Sequence, residues 1–471
     1  MTDMSRALAV QRAAFLDAMP EPLSARKDRL KRAAAMIAES ADRFCDALSE
    51  DFGHRSREQS MITDIAGSIA PITHAIKHLD RWAKAERRPV QFPLGLLGAR
   101  AWVEYQPKGV VGVIAPWNFP VNLILSPLAG IFAAGNRAIV KTSEYTPATG
   151  ALFEELVGRY FSPDELAFVG GGPEVGKAFA GLPFDHLIFT GATGIGRHIL
   201  HAAADNLVPV TLELGGKSPV VIGEGADIAR ATERVALGKM LNAGQICLAP
   251  DYMLVRAADE PAVVAGLTAA ASAMYPTLLD NPDYTSLVSD RHMARLTEWL
   301  DDARAKGARV EIVNPAGEDF AGSNTRKMPL HIVRDATDDM IVMQEEIFGP
   351  VLPIRRYDGI DDAIGQINRR DRPLALYHFG SDAAERRRLL DRTVSGGVSL
   401  DDVILHVSME DLPFGGVGPS GMGAYHGQDG FRTFSHARAV FRQSRFDVAK
   451  LAGLKPPYGA ATRKSVARMM R

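Results

Sequence analysis

Short runs rich in Val and Ile recur along the chain with helical patterns between them, and this alternation restricts the fold more than any other feature. VVGVIAP (110–116) is followed by an apolar stretch at about 119–134, and AIVKTSE (138–144) by the helix-like ATGALFEELVGRY. LAFVGGG (166–172) and HLIFTG (186–191) continue the series, the second running into GIGRHILHAAA. Apolar strands separated by helical patterns read as βαβ units on a parallel sheet. A dinucleotide or phosphate ligand then belongs at the carboxyl ends of the strands. A second alternating series starts at TLELGGKSPVVI (211–222) and runs to about 406, through a helical pattern at 226–243 and the strand-like DYMLVRA (251–257).

At 471 residues the chain holds two to four compact units, taking roughly 100–200 residues for each. Lys and Arg number 54 against 56 Asp and Glu, a formal charge of −2, so no global footprint for nucleic acid is present. Two cysteines, Cys45 and Cys247, exclude a disulfide framework and a zinc site built on several Cys, and no metal is expected. The first thirty residues carry Arg6, Arg12, Arg26, Lys27 and Arg29 without a continuous apolar stretch, so no secretory signal is read. The region at 119–134 is broken by Pro120, Asn122, Ser126 and Pro127 and falls short of the ~20 apolar residues a bilayer span needs. It reads as a buried helix, and a cytoplasmic protein is expected. Helical spacing over 28–48 sets Leu30, Ala34, Ile37, Phe44 and Leu48 on one side, with Cys45 as a packing residue. RRPVQFPLGLLG (87–98), with two prolines and two glycines, reads as an extended excursion.

Three residues carry candidate chemistry. Cys247, in NAGQICLAP, lies between Ile246 and Leu248. Burial alone would raise its thiol pKa and leave it inert, so a reactive thiol needs an organised loop, positive potential or a base. Glu213, in ELGGKSP, stands at a strand end before two glycines, where backbone approaches a ligand closely. Beside an apolar pocket it would be a general base, and otherwise a surface carboxylate before a turn. Asn118, in APWNFP, either caps the following helix or donates its amide to a developing oxyanion.

APWNFP, FTGATGIGR, ELGGKSP, GQICLAP, EEIFGPVLP and PFGGVGPSGMG stand in the order and at the approximate separations of the aldehyde dehydrogenase superfamily, which the chain resembles from about 107 to 434. The resemblance implies an aldehyde dehydrogenase-like α/β fold, with two doubly wound parallel-sheet domains and a β-rich oligomerisation arm. Residues 1–86 and 106–210 would form the NAD(P)-binding domain and 211–412 the catalytic domain. Residues 87–105 and 413–471 would form the bridging arm and C-terminal tail. It implies Cys247 as nucleophile, Asn118 with the Cys247 N–H as oxyanion donors, and Glu213 as the base that activates water. For the cofactor it implies Lys141 and Glu144 at the adenine-side ribose, and Glu346 and Phe348 at the nicotinamide-side ribose and ring. Pro116, Trp117, Thr190, Gly191, Gly196 and Leu214 complete that set. Thr142 replaces the Pro of the family's KPSE, and Ala192 stands where Ser is frequent. GATGIG is G-x-x-G-x-G, so a search for the Rossmann G-x-G-x-x-G misses this site. Glu144 favours NAD by accepting from the ribose 2′-OH, with NADP also open.

CLAPDY, PFGGVGPSGMGAYHGQDGFRTFSH and the tail KPPYG are similar to the class 3 side of the superfamily, and most to bacterial coniferyl aldehyde dehydrogenases. This implies a hydrophobic, aromatic or alkenyl aldehyde as the small-molecule substrate. Medium or long aliphatic aldehydes are the next reading, and a CoA-acylating relative a further one. The basic tail (Lys455, Arg463, Lys464, Arg468, Arg471) has no apolar run long enough to anchor in a membrane. The resemblance implies a homodimer bridged by the 87–105 excursion and the segment after Gly430.

Overall fold

In the computed structural model, which describes residues 3–92 and 94–470, the strands fall into three sheets. Arg471 lies outside the described residues. In chain order β1 (Glu86–Arg88) and β2 (Arg100–Pro107) open a small sheet. β3 (Val110–Ile114), β4 (Arg137–Lys141), β5 (Leu166–Val169), β6 (His186–Thr190) and β7 (Val210–Glu213) build a second. β8 (Pro219–Ile222), β9 (Tyr252–Arg256), β10 (Arg309–Val313) and β11 (Leu330–Arg334) belong to the third. So do β12 (Val351–Tyr357), β13 (Ala375–Phe379) and β14 (Gly397–Leu400). β15 (Gly421–Met422) returns to the second sheet, and β16 (Ser435–Arg442) to the first.

The second sheet has the order β15-β7-β6-β3-β4-β5 and the third β10-β11-β12-β9-β8-β13-β14. Each is parallel except at one edge, where β15 and β10 run antiparallel to their neighbours. The expected α/β fold with two parallel-sheet units and a β-rich arm is borne out. β3 shows why the apolar runs form such a sheet. Val110 and Ile114 join a core with Ile139, Leu187, Phe189 and Ile199, whereas Val111 and Val113 enter the opposite core with Leu125, Leu128 and Phe132. Each fully buried side chain of this kind contributes about 1.5–3 kcal/mol. The helix Asn122–Ala134 is buried from Ile124 to Ala134 without interruption, as the apolar stretch predicts. No helix among the described residues is long and apolar enough to cross a membrane.

Four expectations need correction. The single helix over 28–48 is two, Leu23–Glu39 and Ala41–Phe52, with Ser40 outside the helical basin between them. The break lets the first pack on Gly67–Trp82 and Asn122–Ala134, and the second on Pro147–Tyr160. The helix over 226–243 ends at Met240, because Asn242, Ala243 and Gly244 all take positive φ. A domain boundary after residue 210 cuts β7, which is paired with β6 along all of Val210–Glu213; the chain changes sheet between Glu213 and Pro219. Residues 421–422, expected in the arm, instead pair with Leu212 and Glu213.

Candidate active site

Parallel pairing places the ends of four strands in one row. Ile114 stands opposite Lys141 and Phe189, and Thr190 opposite Glu213. At the β4 end Lys141 is buried, and its Nζ donates to Glu144 Oε2 at 2.9 Å. Gly191, just past β6, donates its N–H to the Glu213 carbonyl at 3.0 Å. Gly196, in the first turn of Thr193–Ala204, lies against Leu214, and a Cβ there would come within 2.8 Å of Leu214 Cδ2. The loop after β3 carries Pro116, Trp117 and Asn118. The Trp117 ring meets Phe348 edge-on at 5.3 Å and His292 at 5.0 Å.

Asn118 is buried and does not cap the next helix. Asp64 Oδ1 accepts from the Val121 and Asn122 N–H groups, which leaves the Asn118 amide to act elsewhere. Its Nδ2 donates to the Gln245 carbonyl at 3.2 Å, two residues before Cys247.

Cys247 is half-buried on the loop that leads into β9. Burial first, then the neighbouring Glu346 and Glu213 carboxyls, push its thiol up to about 12. Glu213, the last residue of β7, is buried with neither carboxylate oxygen hydrogen-bonded, and burial holds it well above the usual carboxylate range. Glu346 is pushed up to about 8 by burial and by Asp251, against the pull of the Gly216 N–H, Lys217 and Arg295. Its Oε1 is buried without a partner. A Cβ on Gly215 would come within 2.1 Å of both Glu346 carboxylate oxygens, so the first glycine after Glu213 makes room for this carboxyl. The structure thus brings Cys247, Glu213 and Glu346 together, with Asn118 beside them. Lys141 and Glu144 lie three strands from β7, ~14 Å away at the usual strand spacing.

A model of the Aldehyde dehydrogenase family matches residues 1–440. The chain belongs to that family. A coniferyl aldehyde dehydrogenase of a Pseudomonas species is 53% identical over 458 residues, covering 97% of this chain and 94% of its own. Staphylococcus aureus AldH in a substrate-bound state is 35% identical, with a TM-score of 0.91 over 100% of both chains. Mycobacterium tuberculosis aldehyde dehydrogenase complexed with NAD+ is 28% identical, with a TM-score of 0.84 over 94% of this chain and 91% of that one.

In this aldehyde dehydrogenase the loop of Glu346 is pinned by residues that the sequence reading passed over. Lys217 Nζ donates to Asp251 and to the carbonyls of Val342 (2.7 Å) and Glu345 (2.8 Å). Asp251 Oδ2 accepts from the Ile347 N–H at 2.9 Å, and Arg295 Nη2 donates to the Ile347 carbonyl at 2.6 Å. Phe348 is held at φ +51°, a costly conformation for a residue with a Cβ. Lys217 and Asp251 sit inside two of the quoted motifs, ELGGKSP and CLAPDY, and their opposite charges were the available signal. Arg295 had none.

Proposed function

We propose that the protein oxidises a hydrophobic aldehyde of aromatic or alkenyl, coniferyl type to its carboxylic acid, with NAD(P)+ as hydride acceptor and Cys247 as nucleophile. The observation that carries this is Glu213, a buried carboxyl without a hydrogen-bond partner, close enough to Cys247 to perturb its thiol. Such a group is a ready general base for water. The Cys247 thiolate adds to the aldehyde carbon and leaves negative charge on the oxygen. Asn118 Nδ2 and the Cys247 N–H supply the donors for that charge. NAD(P)+, held by Lys141, Glu144 and Glu346, would supply the hydride acceptor, and Cys247 would then hold the acyl group as a thioester. Glu213 then removes a proton from the water that attacks the thioester, and the acid departs as the Cys247 thiolate is regenerated.

The residues at the strand ends fit this cofactor. Glu144, next to Lys141, suits the adenine-side ribose hydroxyls, and the unfilled Glu346 Oε1 suits the nicotinamide-side ribose. The Trp117–Phe348 ring pair would offer an apolar wall to the nicotinamide, and Pro116, Thr190, Gly191, Gly196 and Leu214 would line the path between. Identity to a coniferyl aldehyde dehydrogenase and the apolar flanks Ile246 and Leu248 favour an aromatic substrate over an aliphatic one. We also place the protein in the cytoplasm as a homodimer, joined through the 87–105 and post-430 segments. An aldehyde panel that includes coniferaldehyde and medium-chain alkanals, followed by NADH and NADPH absorbance, tests the reading. Coniferaldehyde should give the highest kcat/KM, and free acid should be the product with or without CoA. An acyl-CoA product, or no reduction with any aldehyde, would overturn it.

A further inference from the structure

We propose that the buried Arg55–Asp64 ion pair is a positioning device for the oxyanion pocket, holding Asn118 and the turn before Cys247 in one register. This rests on the reading of Asn118 and the Cys247 N–H as oxyanion donors. Arg55 and Asp64 are both fully shielded from solvent, and Arg55 Nη2 donates to Asp64 Oδ2 at 2.6 Å. Arg55 Nη1 donates to the Asn118 carbonyl at 2.9 Å. Asp64 Oδ1 accepts from the amides of Val121 (3.2 Å) and Asn122 (3.4 Å). The guanidinium lies over the rings of Phe52 and Phe119, 4.8 and 5.1 Å from their centroids. The loop of Asn118 is thus gripped at its own carbonyl and again three and four residues further on.

The same short segment also grips the nucleophile loop. Gln59 Oε1 accepts from the Asn242 N–H at 2.8 Å, and Gln59 Nε2 donates to Asn242 Oδ1 at 3.3 Å. Asn242 Nδ2 in turn donates to the Asn118 carbonyl at 3.1 Å and to the Gln245 carbonyl at 3.2 Å. Asn242, Ala243 and Gly244 are three consecutive residues at positive φ, a run that an isolated chain would not hold. Asp64 itself stands on a π-helical turn, Met61–Ala66, a local widening found mostly at functional sites.

The chemistry explains why register matters. The Asn118 NH₂ has two hydrogens. One is directed to the Gln245 carbonyl, which leaves the other for the substrate oxygen. The plane of that amide is set by the main chain at Asn118 and the carbonyl of Gln245, and Arg55, Asp64 and Gln59 fix both. A donor misplaced by about 1 Å can lose about 100-fold in rate. A structural role alone gives weak reason for charges here, because buried ion pairs are often replaced by apolar residues without loss of stability. Lys cannot substitute, since one ammonium lacks the planar fork that reaches Asp64 and Asn118 together.

The test is single-turnover NADH formation, with enzyme in excess over aldehyde, in wild type, Arg55→Lys, Gln59→Met and Asn118→Ala, and in each of the first two variants combined with Asn118→Ala. Arg55→Lys should lower the rate constant about 30-fold and Gln59→Met about 10-fold, with the NAD dissociation constant unchanged. In the Asn118→Ala background each should cost less than about 3-fold, because the effect passes through Asn118. Gln59→Met removes no charge and carries the test if Arg55→Lys does not fold. Unchanged rates in folded variants, or equal losses in both backgrounds, would overturn the proposal. Absence of aldehyde-dependent NADH formation in wild type would instead retire the functional reading itself.

Discussion

Gln59, Asn118, Asn242 and Gln245 bond to one another in front of the Cys247 loop, whereas Glu213 and Glu346 keep carboxylate oxygens without a partner. All of them are buried except Glu346, which is half-buried with its Oε1 shielded, so solvent access does not distinguish the clusters. An unpaired buried polar group costs the fold about 1–3 kcal/mol, and a satisfied one costs little. The amide cluster therefore acts by staying still. Burial favours the neutral form of both carboxyls, and on the proposed reading they would act by acquiring a new partner, water for Glu213 and a ribose hydroxyl for Glu346. Buried polar residues at one site thus divide into a frame and its moving parts, and hydrogen-bond satisfaction tells them apart.

Removing the atom that both clusters serve should have the largest effect. Cys247→Ala should abolish NADH formation and the covalent labelling of the site by iodoacetamide, read by absorbance and peptide mass spectrometry. Glu213→Gln should keep single-turnover NADH formation while steady-state turnover falls about 10²–10⁴-fold. Equal losses in both would place Glu213 in the frame. The thiol pKa gives the third test. Because Cys247 is pushed up to about 12, its thiolate fraction rises with pH throughout the neutral range. Alkylation of the cofactor-free protein should accelerate about 10-fold per pH unit from pH 7 to 9. A plateau below pH 8 would show that burial and the neighbouring carboxyls do not hold the thiol up. Smallest is Gly215→Ala, whose Cβ would displace Glu346. KM for NAD should rise about 10-fold and thermal stability fall slightly, since the displaced carboxyl gives up the hydrogen bond from the Gly216 N–H while its Oε1 has none to lose.

The parallel strands were legible because runs such as VVGVI are apolar on both faces, and the apolar helix because eleven successive residues, Ile124–Ala134, face protein. The break at Ser40 was not legible, since the apolar spacing continues through it and only the choice of packing partner reveals it. The left-handed turn at Asn242–Gly244 was hidden for a similar reason: its Gln59 partner lies far away in the chain. Asn118, Glu213 and Cys247 could each be read two ways singly, and the order of the surrounding motifs chose among the readings. Arg55 and Asp64 carried no local pattern, because an ion pair is a property of the fold and not of either segment.

The two-residue strand β15 has a consequence for how the protein is made. Gly421 pairs with Glu213, the Leu214 N–H donates to the Ser420 carbonyl at 3.0 Å, and a Cβ on Gly421 would strike the Leu212 carbonyl. The strand that ends in Glu213 is thus clasped by chain synthesised about two hundred residues later. While a ribosome is still translating the region between, the sheet edge beside Glu213 stays unpaired and open to other chains. A nascent chain stopped between Cys247 and Gly421 already carries Asn118, Glu213 and Cys247, yet it lacks the strand that clasps Glu213, so the proposed oxidation would wait until residue 421 has been made.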